Sequence, residues 1–209
     1  MHPRVVAALA LQMEARRFVL AAGARHVGWK VGRDFPEVEA VIGDAPVLGH
    51  LTTATRLQPG ETYAGARTER LRAETELALR LGPDGEVAAV ATALEIVDVT
   101  RPPSDLQGIV AGNAFHRAFA LGRAGAAMPV RAEARTVVDG EVRAVAPVDV
   151  DVAGTVRSVA DLLAAVGEKL EPGDVILSGA STHVPVAHGE RAVAEIEGLG
   201  AVDLALSPA

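Results

Sequence analysis

Residues 72–99 read RAETELALRLGPDGEVAAVATALEIVDV. In the middle stands Pro83-Asp84-Gly85, where proline presets φ and glycine accepts positive φ, so the chain is expected to reverse there. Glu76–Leu81 then forms one arm of a hairpin. The other arm lies in the apolar run Val87–Val99, which reads either as a buried strand or as an alanine-rich helix leading into one. In a strand, side chains alternate faces, so Glu74 and Glu76 point the same way with Cα atoms about 6.6 Å apart. Ala73, Thr75, Leu77 and Leu79 occupy the opposite, core-directed face. Two carboxylates about 6 Å apart repel by about 3 kcal/mol at an effective dielectric near 20. Solvent relieves this on an open face, and a divalent cation relieves it in a cleft. Glu95 bears on that choice because it stands in the apolar segment ATALEIVDV. A buried carboxylate needs a partner, a metal or a proton.

The same pattern extends outward in both directions. Val5–Ala22 reads as a helix, with Val6, Leu9, Met13 and Phe18 on its apolar stripe and Gly23 as its stop. HVGWKVG and FPEVEAVIGDAPVLGHL are short apolar runs punctuated by Gly28, Gly32, Gly43 and Gly49, which suggests strands joined by turns. Residues 113–122 are expected to hold a short helix. Asp139-Gly140 is the clearest hairpin signal, with alternating residues on both sides. Ser158 and Asp161 resemble a capping box that opens a helix burying Val159, Leu162, Leu163 and Val166. Pro172-Gly173 leads into the buried strand DVILSGA, and ERAVAEIEGLGAVDLAL closes the chain as a last hairpin. The reading is a single β-rich α+β domain, with a helical segment over 1–27 and a β-rich core over 28–209.

Composition narrows the functional classes. The chain has 209 residues, a hydrophobic fraction of 49%, a charged fraction of 22% and a net charge of −7. It shows no basic patch and only 3% aromatic residues, which argues against nucleic acid and anionic membranes as partners. There is no cysteine, which excludes disulfides, thiolate catalysis and zinc–cysteine sites and fits a cytoplasmic location. No apolar run approaches the ~20 residues of a membrane span. The first apolar stretch, Val5–Leu11, is short and runs into Glu14-Ala15-Arg16-Arg17, unlike a signal peptide.

Three acids and no cysteine suit a hard, oxygen-preferring cation: magnesium first, with manganese or calcium fitting the same donors. Lys30, flanked by Trp29 and Val31, is either a surface lysine or a partly buried cation able to bind a carboxylate or move a proton. None of the six histidines forms an i, i+4 metal pair. His183 reads as a loop histidine with no assigned role.

Taken in order, GWKVG (28–32), RAETELAL (72–79), ALEIVD (93–98), VAGNA (110–114), GDVILSGA (173–180) and AEIEGLGAVDLAL (194–206) resemble the fumarylacetoacetate hydrolase superfamily. The branch they resemble is that of the 2-keto-4-pentenoate hydratases and related 2-oxo-acid decarboxylases, from about residue 11 to the end. The resemblance implies a mixed β-roll or barrel with peripheral helices, assembled as a homo-oligomer. It implies Glu74, Glu76 and Glu95 as ligands of a divalent metal, Lys30 as the lysine of enolisation or carboxylate binding, and Ser178 and Gly179 as substrate contacts. The substrate would be a small 2-oxo acid. The sequence also departs from the family. Ala54 stands where G-x-L-x-x-D-M carries an acid. Gly112 and Phe115 replace the acid and serine of D-N-A-S, and Arg33-Asp34 replaces Leu-Thr. The expected activity is a hydratase-type lyase on a 2-oxo or 2-hydroxydienoic acid. A decarboxylase or tautomerase on the same substrates is the alternative, as is a metabolite-binding relative without turnover. A hydrolase of the acylpyruvate type would need a histidine–glutamate pair, for which His50 and Glu37 are the nearest residues.

Overall fold

In the computed structural model, residues 2–32, 46–65, 70–100, 106–125 and 131–208 are described. Glu37 and Arg33-Asp34 lie outside them.

The hairpin predicted from Pro83-Asp84-Gly85 is the spine of the molecule. β5 (Leu71–Leu81) and β6 (Val87–Asp98) pair antiparallel along nearly their whole length. The run after Gly85 is therefore strand, as its β-branched residues and burial on both faces favour. Around this pair lie β1 (His26–Gly32), β2 (Val47–Thr52), β3 (Arg56–Leu57), β7 (His116–Leu121) and β10 (Val175–Pro185), in the spatial order β2-β1-β10-β5-β6-β7-β3. A smaller sheet has the order β4-β12-β11-β8-β9, with β4 at Thr62–Tyr63, β8 at Glu133–Val138, β9 at Glu141–Pro147, β11 at Arg191–Ile196 and β12 at Gly200–Leu206. Both later hairpins expected from the sequence are present. Pairing is mixed, since β1 runs parallel to β10, β3 to β7 and β4 to β12.

The edge strands β2 and β3 are only three residues apart in sequence, so the larger sheet must curl until its two edges approach. Leu51, Ala78, Ala93, Phe119 and Leu177, from five different strands, meet on the inside of that curl. Alternation puts Glu74 and Glu76 on this inner face with Ala78, and Ala73 and Thr75 on the outer one. The outer face packs partly against the smaller sheet, through Ala73, Leu94, Ile96, Ala194 and Leu204. Elsewhere it is covered by helices α1 (Pro3–Ala21), α2 (Leu106–Ala111) and α3 (Val152–Ala164), with Leu9, Met13, Trp29, Leu48, Ile109, Val159 and Ile176 in that core. The architecture is a β-rich curled sheet with peripheral helices.

Three local expectations change. The buried stripe of α1 is Val5, Ala8, Leu9, Gln12 and Met13, while Phe18 is 78% exposed and Val6 is only half-buried. Gln12 decides this orientation: its side-chain amide donates to the carbonyls of Leu48 (2.7 Å) and Val110 (2.5 Å), joining α1 to β2 and α2. The helix expected within 113–122 is a single turn, Asn113–Phe115, followed by strand. α3 begins at Val152, with the Asp151 carboxylate accepting from Gly154 N–H. Its cap thus lies seven residues before Ser158, which sits inside the helix.

Candidate active site

Strand register assembles the three acids. Glu74 stands directly opposite Glu95 on β6, and on its other side opposite His183 on β10. Glu76 follows two residues along on the same face. Each of the three carboxylates offers an oxygen within 4.8 Å of the others. The spacing in sequence could not show this, because the pairing of β5 with β6 brings Glu95 back across the hairpin.

The rest of the chain holds each acid by one oxygen. Glu95 Oε1 accepts from Lys30 Nζ (2.6 Å) and from His116 Nδ1 (2.7 Å). Glu76 Oε2 accepts from the backbone N–H of Gly179 (2.7 Å), and Glu74 Oε1 contacts His183 Nδ1 at 2.6 Å. Glu76 Oε1 and Glu95 Oε2 are buried and have no hydrogen-bonding partner. Leaving two such oxygens unpaired with both groups ionised is costly, and in the absence of a metal a proton held by Glu76 toward Glu95 relieves it. A divalent cation among the three acids would satisfy both, and an all-oxygen donor set matches a hard ion.

The electrostatics agree with this geometry. Burial pushes the Glu76 carboxyl well above its usual range, and the neighbouring Glu95 charge adds to the push. Burial acts the same way on Glu95, but Lys30 and His116 outweigh it and hold the group at about 2. Burial works to lower the Lys30 ammonium, yet the charges of Glu95, Glu74 and Glu76 prevail and raise it. Lys30 is thus a buried cation at 2% exposure, and the surface reading of this lysine does not hold.

Backbone irregularities aim these groups. The register between β10 and β5 slips between Leu177 and Ala180 and again before Thr182, so β10 carries extra residues opposite Glu76. Gly179 sits in the first bulge with φ +102°, a conformation open to glycine, and the bulge turns its amide toward Glu76. That amide is therefore engaged by an acid. Ser178 Oγ, by contrast, is buried, unpartnered and lines the adjoining pocket. Behind the site, the hydroxyls of Thr75, Thr136 and Thr182 form a chain at 2.8 and 2.6 Å that ties β5, β8 and β10 together. Asn113, Ala114 and Phe115 have φ of 60°, 48° and 66°, three successive left-handed residues. The Asn113 side chain holds this strained turn by accepting from His50 N–H (2.7 Å) and donating to His50 C=O (3.1 Å). The turn delivers the Ala114 carbonyl to Lys30 Nζ at 3.2 Å.

His116, Thr55, Asn113 and His183 were not assigned roles from the sequence. His116 is buried between Glu95 and Thr55 Oγ1, the latter at 2.9 Å from its Nε2. His183 lies on β10 rather than in a loop. A lone histidine in an apolar strand carries no spacing signal, so register alone reveals these partners. Ala54 and Gly112, where acids are expected from the resemblance, are both exposed. From these two segments it is His116 that reaches Glu95, backed in turn by Thr55.

Glu74 opens onto a cavity of about 970 Å³, and Glu76 and Glu95 lie buried, off its lining. Lys30, Glu74, Ser178 and His183 form its polar wall, Val97, Val99, Phe115, Pro147 and Val150 its apolar wall, and Asp149 and Asp151 stand on its lining as well. Among the described residues it is lined by no arginine.

Known proteins are similar to this chain over most of its length. The chain is 32% identical to 2-keto-4-pentenoate hydratase 2 of Dechloromonas aromatica (strain RCB), over 93% of this chain and 83% of that protein. Two structures of 4-oxalocrotonate decarboxylase from Pseudomonas putida G7 superpose on it at 23% identity, each covering 94% of this chain and 84% of theirs. One is complexed with calcium and acetate (TM-score 0.81), the other with magnesium and adipate (TM-score 0.80). Residues 21–206 match the family model described as fumarylacetoacetate (FAA) hydrolase C-terminal. With nearly the whole β-rich core inside that match, the chain belongs to the fumarylacetoacetate hydrolase family.

Proposed function

We propose that this protein is a divalent-metal-dependent lyase of the hydratase type, acting on a small 2-oxo or 2-hydroxydienoic acid. The observation that carries the reading is the pair of buried, unpartnered oxygens, Glu76 Oε1 and Glu95 Oε2, beside Lys30 at the polar end of the cavity. Glu74, Glu76 and Glu95 would hold the cation: magnesium, with manganese or calcium suited to the same oxygens. When bound, it supplies Lewis-acid stabilisation of negative charge on the substrate's carboxylate and 2-oxygen as the enolate forms.

The chain's own groups do the rest. An ammonium has three donors, and two of those on Lys30 are engaged by Glu95 and Ala114. The third is left for the substrate, either to bind its carboxylate or to hold the proton exchanged with the carbon skeleton on ketonisation. Ser178 Oγ offers a hydroxyl to the same region, and His116 keeps Glu95 in place from behind. The apolar wall receives the hydrocarbon tail. Asp149 and Asp151 disfavour a second carboxylate there, which supports a monocarboxylic substrate over a dicarboxylic one.

The test is an ultraviolet assay of mono- and dicarboxylic 2-oxo and 2-hydroxydienoic acids, with and without magnesium, on the wild type and Glu76→Gln. Metal-dependent loss of the diene absorbance with a monocarboxylate, abolished by the substitution, is expected. Carbon dioxide release from a dicarboxylate would instead assign a decarboxylase. Tight binding without any turnover would assign a metabolite-binding relative.

A further inference from the structure

The curl of the larger sheet has two ends, and the acids occupy only one. At the other, the opening residues of β1, β6 and β10 meet the closing residues of β5 and β7 and the turn after β2 around a second pocket of about 400 Å³. Three arginines line it, Arg25, Arg56 and Arg80. Arg80 continues the inner face of β5, in the series Glu74, Glu76, Ala78, Arg80.

What sets these arginines apart is that one pocket gathers all three without an acid on its lining. Arg17, Arg72 and Arg157 likewise show no ion pair among the described residues but are not gathered in this way. Elsewhere Arg16, Arg117, Arg135, Arg143 and Arg191 each rest against an acid. The nearest buried acid is Asp174, but it is already engaged by His26 (2.8 Å), by Trp29 Nε1 (3.0 Å) and by the Glu171 N–H (3.0 Å). The arginine backbones are fixed. Arg25 exchanges hydrogen bonds with Thr53, Arg56 pairs with Phe119, and Arg80 is flanked by Ala89 and Val175. All three arginines are exposed, so water screens their mutual repulsion and leaves their guanidinium groups accessible to an anion entering the pocket. Their planar forks are suited to carboxylate and phosphate oxygens. The inner plug of Leu51, Ala78, Ala93, Phe119 and Leu177 separates this pocket from the acids.

We propose that this end of the sheet is a second binding site, for a small polyanion whose carboxylate or phosphate oxygens are gripped by Arg25, Arg56 and Arg80. A volume of about 400 Å³ suits a small metabolite rather than a polymer.

The test is thermal denaturation of the metal-free protein in rising inorganic phosphate, and separately in rising citrate, with sodium chloride at matched ionic strength as reference. The variants are Arg56→Ala/Arg80→Ala and Glu76→Gln, with subunit mass followed by size-exclusion chromatography. We expect at least one anion to raise the midpoint saturably above the chloride reference, the stronger of the two identifying phosphate or carboxylate as the ligand chemistry. The double arginine variant should need at least about tenfold more anion for the same rise, while Glu76→Gln responds as the wild type does. General salting effects would act on all three proteins alike. No saturable rise in the wild type, or an equal rise in the double variant, would overturn the proposal. So would a change of oligomeric mass in the double variant, which would assign the arginines to a contact between subunits.

Discussion

Lys30 shows how much one side chain can carry. Its ammonium is the chain's compensation for Glu95 in a site with two further acids. Replacing it with methionine keeps the volume and removes the charge, leaving Glu95 buried without its strongest partner. Breaking a buried pair from one side costs about 3–5 kcal/mol. Urea denaturation of metal-free Lys30→Met at neutral pH should show a loss of that order, and a loss below 1 kcal/mol would refute a buried cation. His50 offers a pH test clear of the acids. Burial, then the charges of His116, Arg16 and His26, lower its pKa from 6.5 to about 4. The unfolded chain takes up this proton near pH 6.5 and the folded chain only near 4. The stability contributed by neutral His50 is therefore complete above pH 6.5 and disappears as pH falls toward 4. The full effect is on the order of 3 kcal/mol. His50→Gln should lose correspondingly less stability than the wild type between pH 7 and pH 4, and parallel losses would count against a buried neutral imidazole.

At the scale of elements, positions are set by irregular backbone as much as by regular strands. The left-handed turn at 113–115 is held by two hydrogen bonds from one asparagine. Asparagine also tolerates positive φ better than alanine does. Asn113→Ala should therefore destabilise the fold by about 2–3 kcal/mol in urea, at about 1 kcal/mol per bond plus the backbone strain. Proposed turnover should fall too, because the Ala114 carbonyl steadies Lys30. If stability is unchanged, the asparagine is not what holds the turn. Such features explain what the sequence revealed and what it hid. The hairpin at Pro83-Asp84-Gly85, the Asp139-Gly140 hairpin and the shared face of Glu74 and Glu76 were legible, because turn chemistry and strand alternation are local. The bulge that aims Gly179 at Glu76 was not, since an extra residue in β10 has meaning only against its partner strand. Nor was the start of α3, where Asp151 supplied the cap in place of Ser158.

For the whole molecule, the decisive event is the curl that closes β2 toward β3 and turns one face of the larger sheet inward. Burial of Glu95 could be guessed from its apolar neighbours, but its meeting with Glu74 and Glu76 depended on pairing between strands. His116 and His183 enter by that same route. Because the acids join β5 and β6 at the centre of the sheet, cation binding should stabilise the entire fold. Magnesium at about 100 times its dissociation constant should add about 2.7 kcal/mol, seen as a rise in the thermal midpoint that EDTA reverses and Glu76→Gln lacks. An unchanged midpoint in the wild type would weigh against the metal site.

The plug of Leu51, Ala78, Ala93, Phe119 and Leu177 has a consequence for traffic. A sheet curled this far could have been a tunnel, but these five side chains make it a blind alley. Among the described residues, whatever enters beside Lys30 in the proposed reaction leaves by the same doorway, so the departing molecule stands where the next one has to land. Product should accordingly compete with substrate, raising the apparent KM in initial-rate assays without lowering kcat. A product that lowered kcat alone would point to a separate exit.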